Sequence, residues 1–130
     1  MRRAPTDGGA VAEETERERG DRMWREVMHF DAPTADDPFT HWTRDVIFGE
    51  VWSSDGLGRR ERRFTSLTCT AVVGASGALA THMKAAVDSG DISLEELGHW
   101  VLHLAFYAGW PVASGAYIAW RTLAAQQATG

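Results

Sequence analysis

Three histidines and one tyrosine in the second half of this sequence are suited to moving protons. His99, His103 and Tyr107 follow one another at intervals of four residues, so a helix would place them on one face. His82 lies on the apolar side of the preceding predicted helix. Histidine exchanges protons near neutral pH, and tyrosine can donate a hydrogen bond to a developing oxyanion. His82 and His103, buried on neighbouring helices, would form an acid–base pocket with Tyr107. The alternative is that each histidine is a satisfied core or interface residue.

Metal and thiol chemistry are not favoured by the residue pattern. His99 and His103 have the i, i+4 spacing of a helical metal pair, but the glutamate of HExxH and a third ligand are missing. We therefore predict no metal site and no cofactor. Cys69 is the only cysteine, so it has neither a disulfide partner nor a resolving thiol for peroxide reduction. We expect it to be a small core residue.

A basic cluster, RRERR at residues 59–63, begins another predicted helix. Arginine binds carboxylates in a bidentate manner, so this cluster could anchor a substrate carboxylate or an adjacent subunit. The alternative is a solvated face paired with Glu61 and neighbouring acids. Binding of nucleic acid is not expected, because the cluster is short and the 130-residue chain carries a net charge of −5.

The length and composition of the chain fit one globular domain. Hydrophobic residues make up 44% of the chain, which is enough for a core, and no apolar run is long enough to span a membrane. The first 20 residues lack the apolar region of a secretory signal. We expect a soluble cytoplasmic protein with a disordered tail at residues 1–12 and a single domain at residues 13–130.

Signals that start and stop helices predict an all-α fold of five or six helices, since no segment alternates as a strand does. Asp37 and Pro38 indicate one helix start, and Ser93–Glu96 forms a capping box for another. The helix after Pro38 has an apolar stripe at helical spacing: Phe39, Trp42 and Val46. Helix ends are predicted at four glycines: Gly49, Gly74, Gly90 and Gly109.

The segment from Phe48 to Trp120 resembles the carboxymuconolactone decarboxylase family. The matching pieces, in order, are FGEVWSSDGLGRRERRFTSL, the histidine in THMKAAVDSG, and ISLEELGHWVLHLAFYAGWPVASGAYIAW. The resemblance implies the all-α, alkylhydroperoxidase D-like fold and assembly into a symmetric homotrimer or homohexamer, with sites near subunit interfaces. Members include decarboxylases of aromatic catabolism and, as relatives, thiol-dependent peroxide reductases.

The resemblance also implies roles for individual residues. His82 matches the motif histidine and would be the principal acid or base. His103 and Tyr107 fall in the last motif and would orient it or bind the developing oxyanion. Arg60 and Arg62 would hold a substrate carboxylate. Apolar walls would come from aromatic residues: Trp42, Trp52, Phe106 and Trp110.

Two positions depart from the decarboxylase pattern. Where that pattern reads GRxxELxxH, this chain has Ala75 for the arginine and Ala78 for the glutamate. The peroxide-reducing relatives carry cysteines at the same two places, so peroxidase activity is not expected. The leading hypothesis is a cofactor-free lyase that acts by proton transfer on a small carboxylated lactone or carbonyl metabolite. The alternatives are an isomerase or cyclase of a biosynthetic pathway, and a non-catalytic oligomeric binding protein.

Overall fold

The structure, a computed structural model, describes residues 12–130. The helices are α1 (Glu16–Met28), α2 (Pro38–Thr40), a π-helical segment (His41–Val51) that continues α2, α3 (Arg59–Val72), α4 (Ser76–Asp88), α5 (Leu94–Ala108) and α6 (Trp110–Ala128). Residues 12–130 contain no β-strand, so the predicted all-α class is confirmed. The predicted tail at residues 1–12 lies outside the described residues, apart from its last residue.

Several helix caps and helix-ending glycines lie where the sequence predicts them. Ser93 caps α5 by accepting from the backbone N–H of Glu96, whose side chain accepts in return from the backbone N–H of Ser93. Asp37 caps α2 through the N–H of Thr40. A second capping box, Thr15 with Glu18, starts α1. The chain turns with positive φ at three of the predicted helix-ending glycines: Gly74, Gly90 and Gly109.

The main core lies among α3, α4, α5 and α6. Its members are almost wholly buried: Leu67, Ala71, Leu79, Met83, Ala86, Ile92, Leu97, Val101, Leu104, Ala116 and Leu123. A second apolar cluster joins α1 to the π-helical segment: Met23, Val27, Met28, Phe48 and Trp52. Trp52 directly follows the π-helical segment, and its ring contacts α4 through His82. The two clusters therefore meet at the element that carries the motif histidine.

The stripe predicted for the helix after Pro38 is not its buried face. Phe39 and Trp42 are exposed at 81% and 62%, whereas Arg44 and Asp45 are buried. The wider π-helical turn departs from the 3.6-residue period on which the prediction rests. Three hydrogen bonds also hold this arginine inward: Nε and Nη2 donate to the two carboxylate oxygens of Asp45 at 2.6 and 3.0 Å, and Nη1 donates to the carbonyl of Pro33 at 2.8 Å.

The prediction that this helix ends at Gly49 is also wrong, because it continues to Val51. Gly49 instead allows a close approach to α1: a Cβ at this position would lie 3.2 Å from the Cα of Gly20. Among the described residues, no helix is both long and apolar enough to cross a membrane.

Candidate active site

His82 lies in the middle of α4 and is half-buried. Its imidazole stacks on the indole of Trp52, with ring centroids 6.3 Å apart and planes inclined by 13°. Trp52 stacks in turn on Phe48, with centroids at 6.0 Å and planes at 5°. The end of the π-helical segment therefore holds the motif histidine of α4 in a fixed aromatic stack.

The protonation of His82 is set by burial first and by a neighbouring cation second. Burial disfavours the imidazolium, and the positive charge of Arg63 disfavours it further, so both lower the pKa of His82. Within residues 12–130, the buried Nδ1 atom has no hydrogen-bond partner. His82 is consequently a neutral imidazole at neutral pH, and its buried Nδ1 is uncommitted.

Arg63 is the residue of this site that the sequence analysis missed. Only 1% of it is exposed, although it belongs to the basic cluster. Its Nε donates to Asp91 Oδ2 at 2.7 Å, in the connection between α4 and α5. Its Nη1 donates to the carbonyl of Val27 in α1 at 2.9 Å. The sequence contains a signal for this burial, since Arg63 precedes Leu67 and Ala71 at intervals of four on the face that enters the core.

Arg60 and Arg62, the predicted carboxylate ligands, both have partners within the chain. Arg60 forms an ion pair with Glu96 and donates to the carbonyl of Asp91 at 2.8 Å. The hydrogen bonds from Arg60 and from the Ser93 backbone lower the pKa of Glu96 to about 2. Arg62 Nη2 donates to the carbonyl oxygen and the hydroxyl of Ser54, at 3.1 and 2.9 Å. Their role in binding substrate stays a prediction.

His103 and Tyr107 lie together on α5, as their spacing predicts. Their rings stack with centroids 4.7 Å apart and planes inclined by 24°. The expectation that His103 is buried is wrong: it is exposed, and Tyr107 is exposed at 82%. The buried face of α5 is formed by other residues: Leu97, Val101, Leu104 and Ala105. In the single chain, therefore, this pair and His82 occupy different environments.

The predicted aromatic walls divide between two places. Trp52 covers His82, whereas Phe106 and Trp110 are exposed at 79% and 65%. Trp110 also lines an apolar recess of about 350 Å³ between α5 and α6, together with Tyr117 and Trp120 of the same helix. We call the exposed aromatic surface of α5 and α6 the aromatic face; its residues are Leu102, His103, Phe106, Tyr107, Trp110 and Tyr117.

The remaining candidates from the sequence are the possible metal ligands and the cysteine. No group of three or more histidine, cysteine or acidic side chains that could hold a metal ion occurs in the described part of the chain. Cys69 is exposed, so the expectation of a core cysteine is wrong. It lies on α3 between the half-buried Thr68 and Thr70.

Residues 37–122, more than half of the chain, match the model of the carboxymuconolactone decarboxylase family. The chain belongs to this family. It is also similar to a 4-carboxymuconolactone decarboxylase of Acinetobacter baylyi, with 31% identity over 78 residues. The similarity covers 60% of this chain and 58% of that protein, so the chain spans less than two thirds of its relative. No solved structure matches the chain.

Proposed function

We propose that this member of the carboxymuconolactone decarboxylase family is a cofactor-free lyase. Its substrate is a small carboxylated lactone or a related carbonyl metabolite, and His82 transfers the proton. The observation that carries the proposal is the environment of His82: a half-buried imidazole stacked on Trp52, with an uncommitted Nδ1 and a lowered pKa. Perturbed titratable groups of this kind are typical of acid–base sites. The family and the name of the Acinetobacter relative support the same reaction class.

The reaction requires a stabilised carbanion and one proton. Cleavage of the bond to the carboxylate carbon releases CO2 and leaves its electron pair delocalised into the lactone carbonyl as a dienolate. Hydrogen-bond donors at that oxygen lower the barrier, and a protonated acid then adds a proton to carbon. The net change is loss of CO2 from the carboxylate with uptake of one proton, so the acid must be reloaded in each turnover.

A neutral His82 can acquire this proton when the substrate binds. A carboxylate placed near the imidazole favours its charged form and offsets the opposing charge of Arg63. Binding therefore raises the pKa of His82 and draws a proton onto the ring. In the free protein, burial and Arg63 keep the same ring neutral. The substrate's own charge thus prepares the acid that acts after CO2 has left.

His103 and Tyr107 serve as oxyanion donors in an assembled homotrimer or homohexamer. What supports this assignment is the aromatic face, where both side chains lie exposed beside Phe106 and Trp110. Exposed apolar surface of this kind marks protein–protein contacts, and aromatic residues are enriched in their centres. This assignment requires that a neighbouring copy packs on this face with its own His82 next to the pair.

Turnover of 4-carboxymuconolactone generated in situ and followed by NMR tests the proposal. His82→Gln should lower kcat by about 100-fold or more, since positioned acid–base groups contribute 10²–10⁴-fold. The matched control is His99→Gln, a change of an exposed histidine on α5, which should leave the rate unaltered. A His82→Gln protein as fast as the wild type would remove His82 from the mechanism.

A second candidate function is a non-catalytic oligomeric binding protein. Ala78 is exposed on α4 one turn before His82, and Ala75 provides no side-chain cap for that helix. Neither residue can supply the charge that the decarboxylase pattern has at these positions. Carboxylate binding by a folded oligomer, without turnover of the lactone above its spontaneous rate, would favour this candidate and contradict the lyase.

A further inference from the structure

We propose that Arg63, rather than Arg60 or Arg62, is the cation that binds the substrate's carboxylate beside His82. This inference rests on the proposed function, because it assigns a ligand group to the same site.

The first argument is the incomplete hydrogen bonding of a buried guanidinium. Arg63 is 1% exposed, and two of its nitrogens are held by Asp91 and by the carbonyl of Val27. Its third nitrogen, Nη2, is buried and has no partner anywhere in residues 12–130. A buried charged donor left unpaired is costly, so such groups normally have a protein or ligand acceptor. Arg63 is therefore a fixed cation with one donor free for a ligand.

The second argument is the neighbouring acceptor site on His82. Its Nδ1 is likewise buried without a partner in the described chain, and the charge of Arg63 acts on this imidazole. His82 as a whole is half-buried, so a small molecule would have to enter past the accessible part of the residue to reach Nδ1, which is itself buried. A carboxylate between these two groups would accept from Arg63 Nη2 and from the protonated imidazole. One anion would then satisfy both uncommitted nitrogens.

The third argument separates Arg63 from the other two arginines. Arg60 is exposed and pairs with Glu96, whereas Arg63 is buried and also pairs with an acid, Asp91. Arg62 has one unpartnered buried nitrogen, Nε, but its Nη2 is bonded to Ser54, and it has no part in shifting the pKa of His82. Arg63 alone combines deep burial, a free donor and an electrostatic effect on the motif histidine.

The test uses levulinate (4-oxopentanoate), a stable molecule with a carboxylate and a ketone, and its neutral methyl ester. The His82 ring signals of the full-length protein are followed by NMR as either compound is added. Levulinate should shift these signals, and the methyl ester should bind about tenfold or more weakly, as expected for loss of a charge-assisted hydrogen bond. Equal binding of the two compounds, or no binding of levulinate, would overturn the proposal without any substitution.

Substitutions then identify the cation. Arg63→Met should weaken levulinate binding about tenfold or more. Arg59→Met, which removes a half-buried arginine paired with Glu26, is the matched control and should bind as the wild type does. Arg63→Lys retains the charge and should recover part of the affinity, which guards against a folding defect in Arg63→Met. Unchanged binding in Arg63→Met with loss in Arg62→Met or Arg60→Met would contradict the assignment.

Binding and turnover separate this inference from the proposed function. Levulinate binding that depends on Arg63, in a protein that does not turn over the lactone, supports the anion site and contradicts the lyase. Lactone turnover with an unchanged KM in Arg63→Met supports the lyase and contradicts the anion site.

Discussion

At His82, burial and the charge of Arg63 act in the same direction, since both disfavour the imidazolium. Because the folded pKa lies below the ordinary value of about 6.5, the unfolded chain binds more protons between these two values. Neutral His82 therefore contributes its full stabilisation above about pH 6.5 and loses it as the pH falls toward the folded pKa. The family motif was enough to single out His82 as a candidate. Its charged neighbour Arg63 could not be singled out, because the sequence shows it only as one of several arginines in a cluster that looks solvated.

The lowered pKa of His82 predicts that kcat and kcat/KM depend differently on pH. The free protein carries the required proton only below the lowered pKa of His82, so kcat/KM should fall as the pH rises through that value. The profile of kcat should break at a higher pH, because a bound carboxylate offsets Arg63. Initial rates with the carboxylated lactone from about pH 5 to 9 measure both profiles. If kcat and kcat/KM break at the same pH, or if kcat/KM rises with pH, then His82 does not gain its proton through substrate binding.

Among the elements, the contact between α1 and the π-helical segment positions Trp52 against His82. Gly20 makes this contact possible: a Cβ there would lie 2.7 Å from Asp45 Oδ1 and 2.8 Å from the carbonyl oxygen of Arg44. We expect Gly20→Ala to lower the free energy of unfolding by about 1–3 kcal/mol through overpacking. It should also weaken turnover, because the stack on His82 depends on this contact.

The control for that substitution is Gly77→Ala in α4, where an added Cβ meets nothing within 4 Å. It should be neutral or stabilising by up to about 1 kcal/mol, since alanine is the better helix former. Urea denaturation of both variants measures the difference. A Gly20→Ala protein as stable as Gly77→Ala would show that the contact tolerates a Cβ at position 20, contrary to the proposed role of this glycine in placing Trp52.

The helices could be predicted from the sequence because their start and stop signals act locally. The capping box at Ser93 and the positive-φ glycines Gly74 and Gly90 need only neighbouring residues to determine the backbone. The π-helical segment could not be predicted in this way, because no periodicity rule anticipates its wider turn. Its inward-facing Arg44 is stabilised by partners that include the distant carbonyl of Pro33.

At the scale of the whole molecule, the aromatic face is the largest departure from the predicted site. Spacing predicted that His103 and Tyr107 share a face, and they do. It could not show whether that face enters the chain's own core, because an apolar interface and an apolar core have the same composition. The exposure of Phe106 and Trp110 leaves this surface for contacts with another molecule, as the proposed oligomer requires.

We expect Phe106→Asp to convert the proposed oligomer to a monomer, because a charge would be buried at the centre of the proposed contact. The matched control is Phe39→Asp on α2, a phenylalanine of similar exposure outside the aromatic face. Size-exclusion chromatography with light scattering gives the masses of both variants. A monomeric wild-type protein, or a Phe106→Asp variant of unchanged mass, would contradict an interface at this face.

The most direct test of the central claim is the pKa of His82, measured by NMR titration of its ring with and without levulinate. The signal is assigned by its loss in His82→Gln. We predict a pKa below about 6.5 in the free protein, a higher one in Arg63→Met that still lies below about 6.5 because burial is the larger cause, and a rise when levulinate binds the wild type. A free pKa at or above about 6.5, or one that levulinate leaves unchanged, would contradict a neutral His82 that gains its proton with the bound anion.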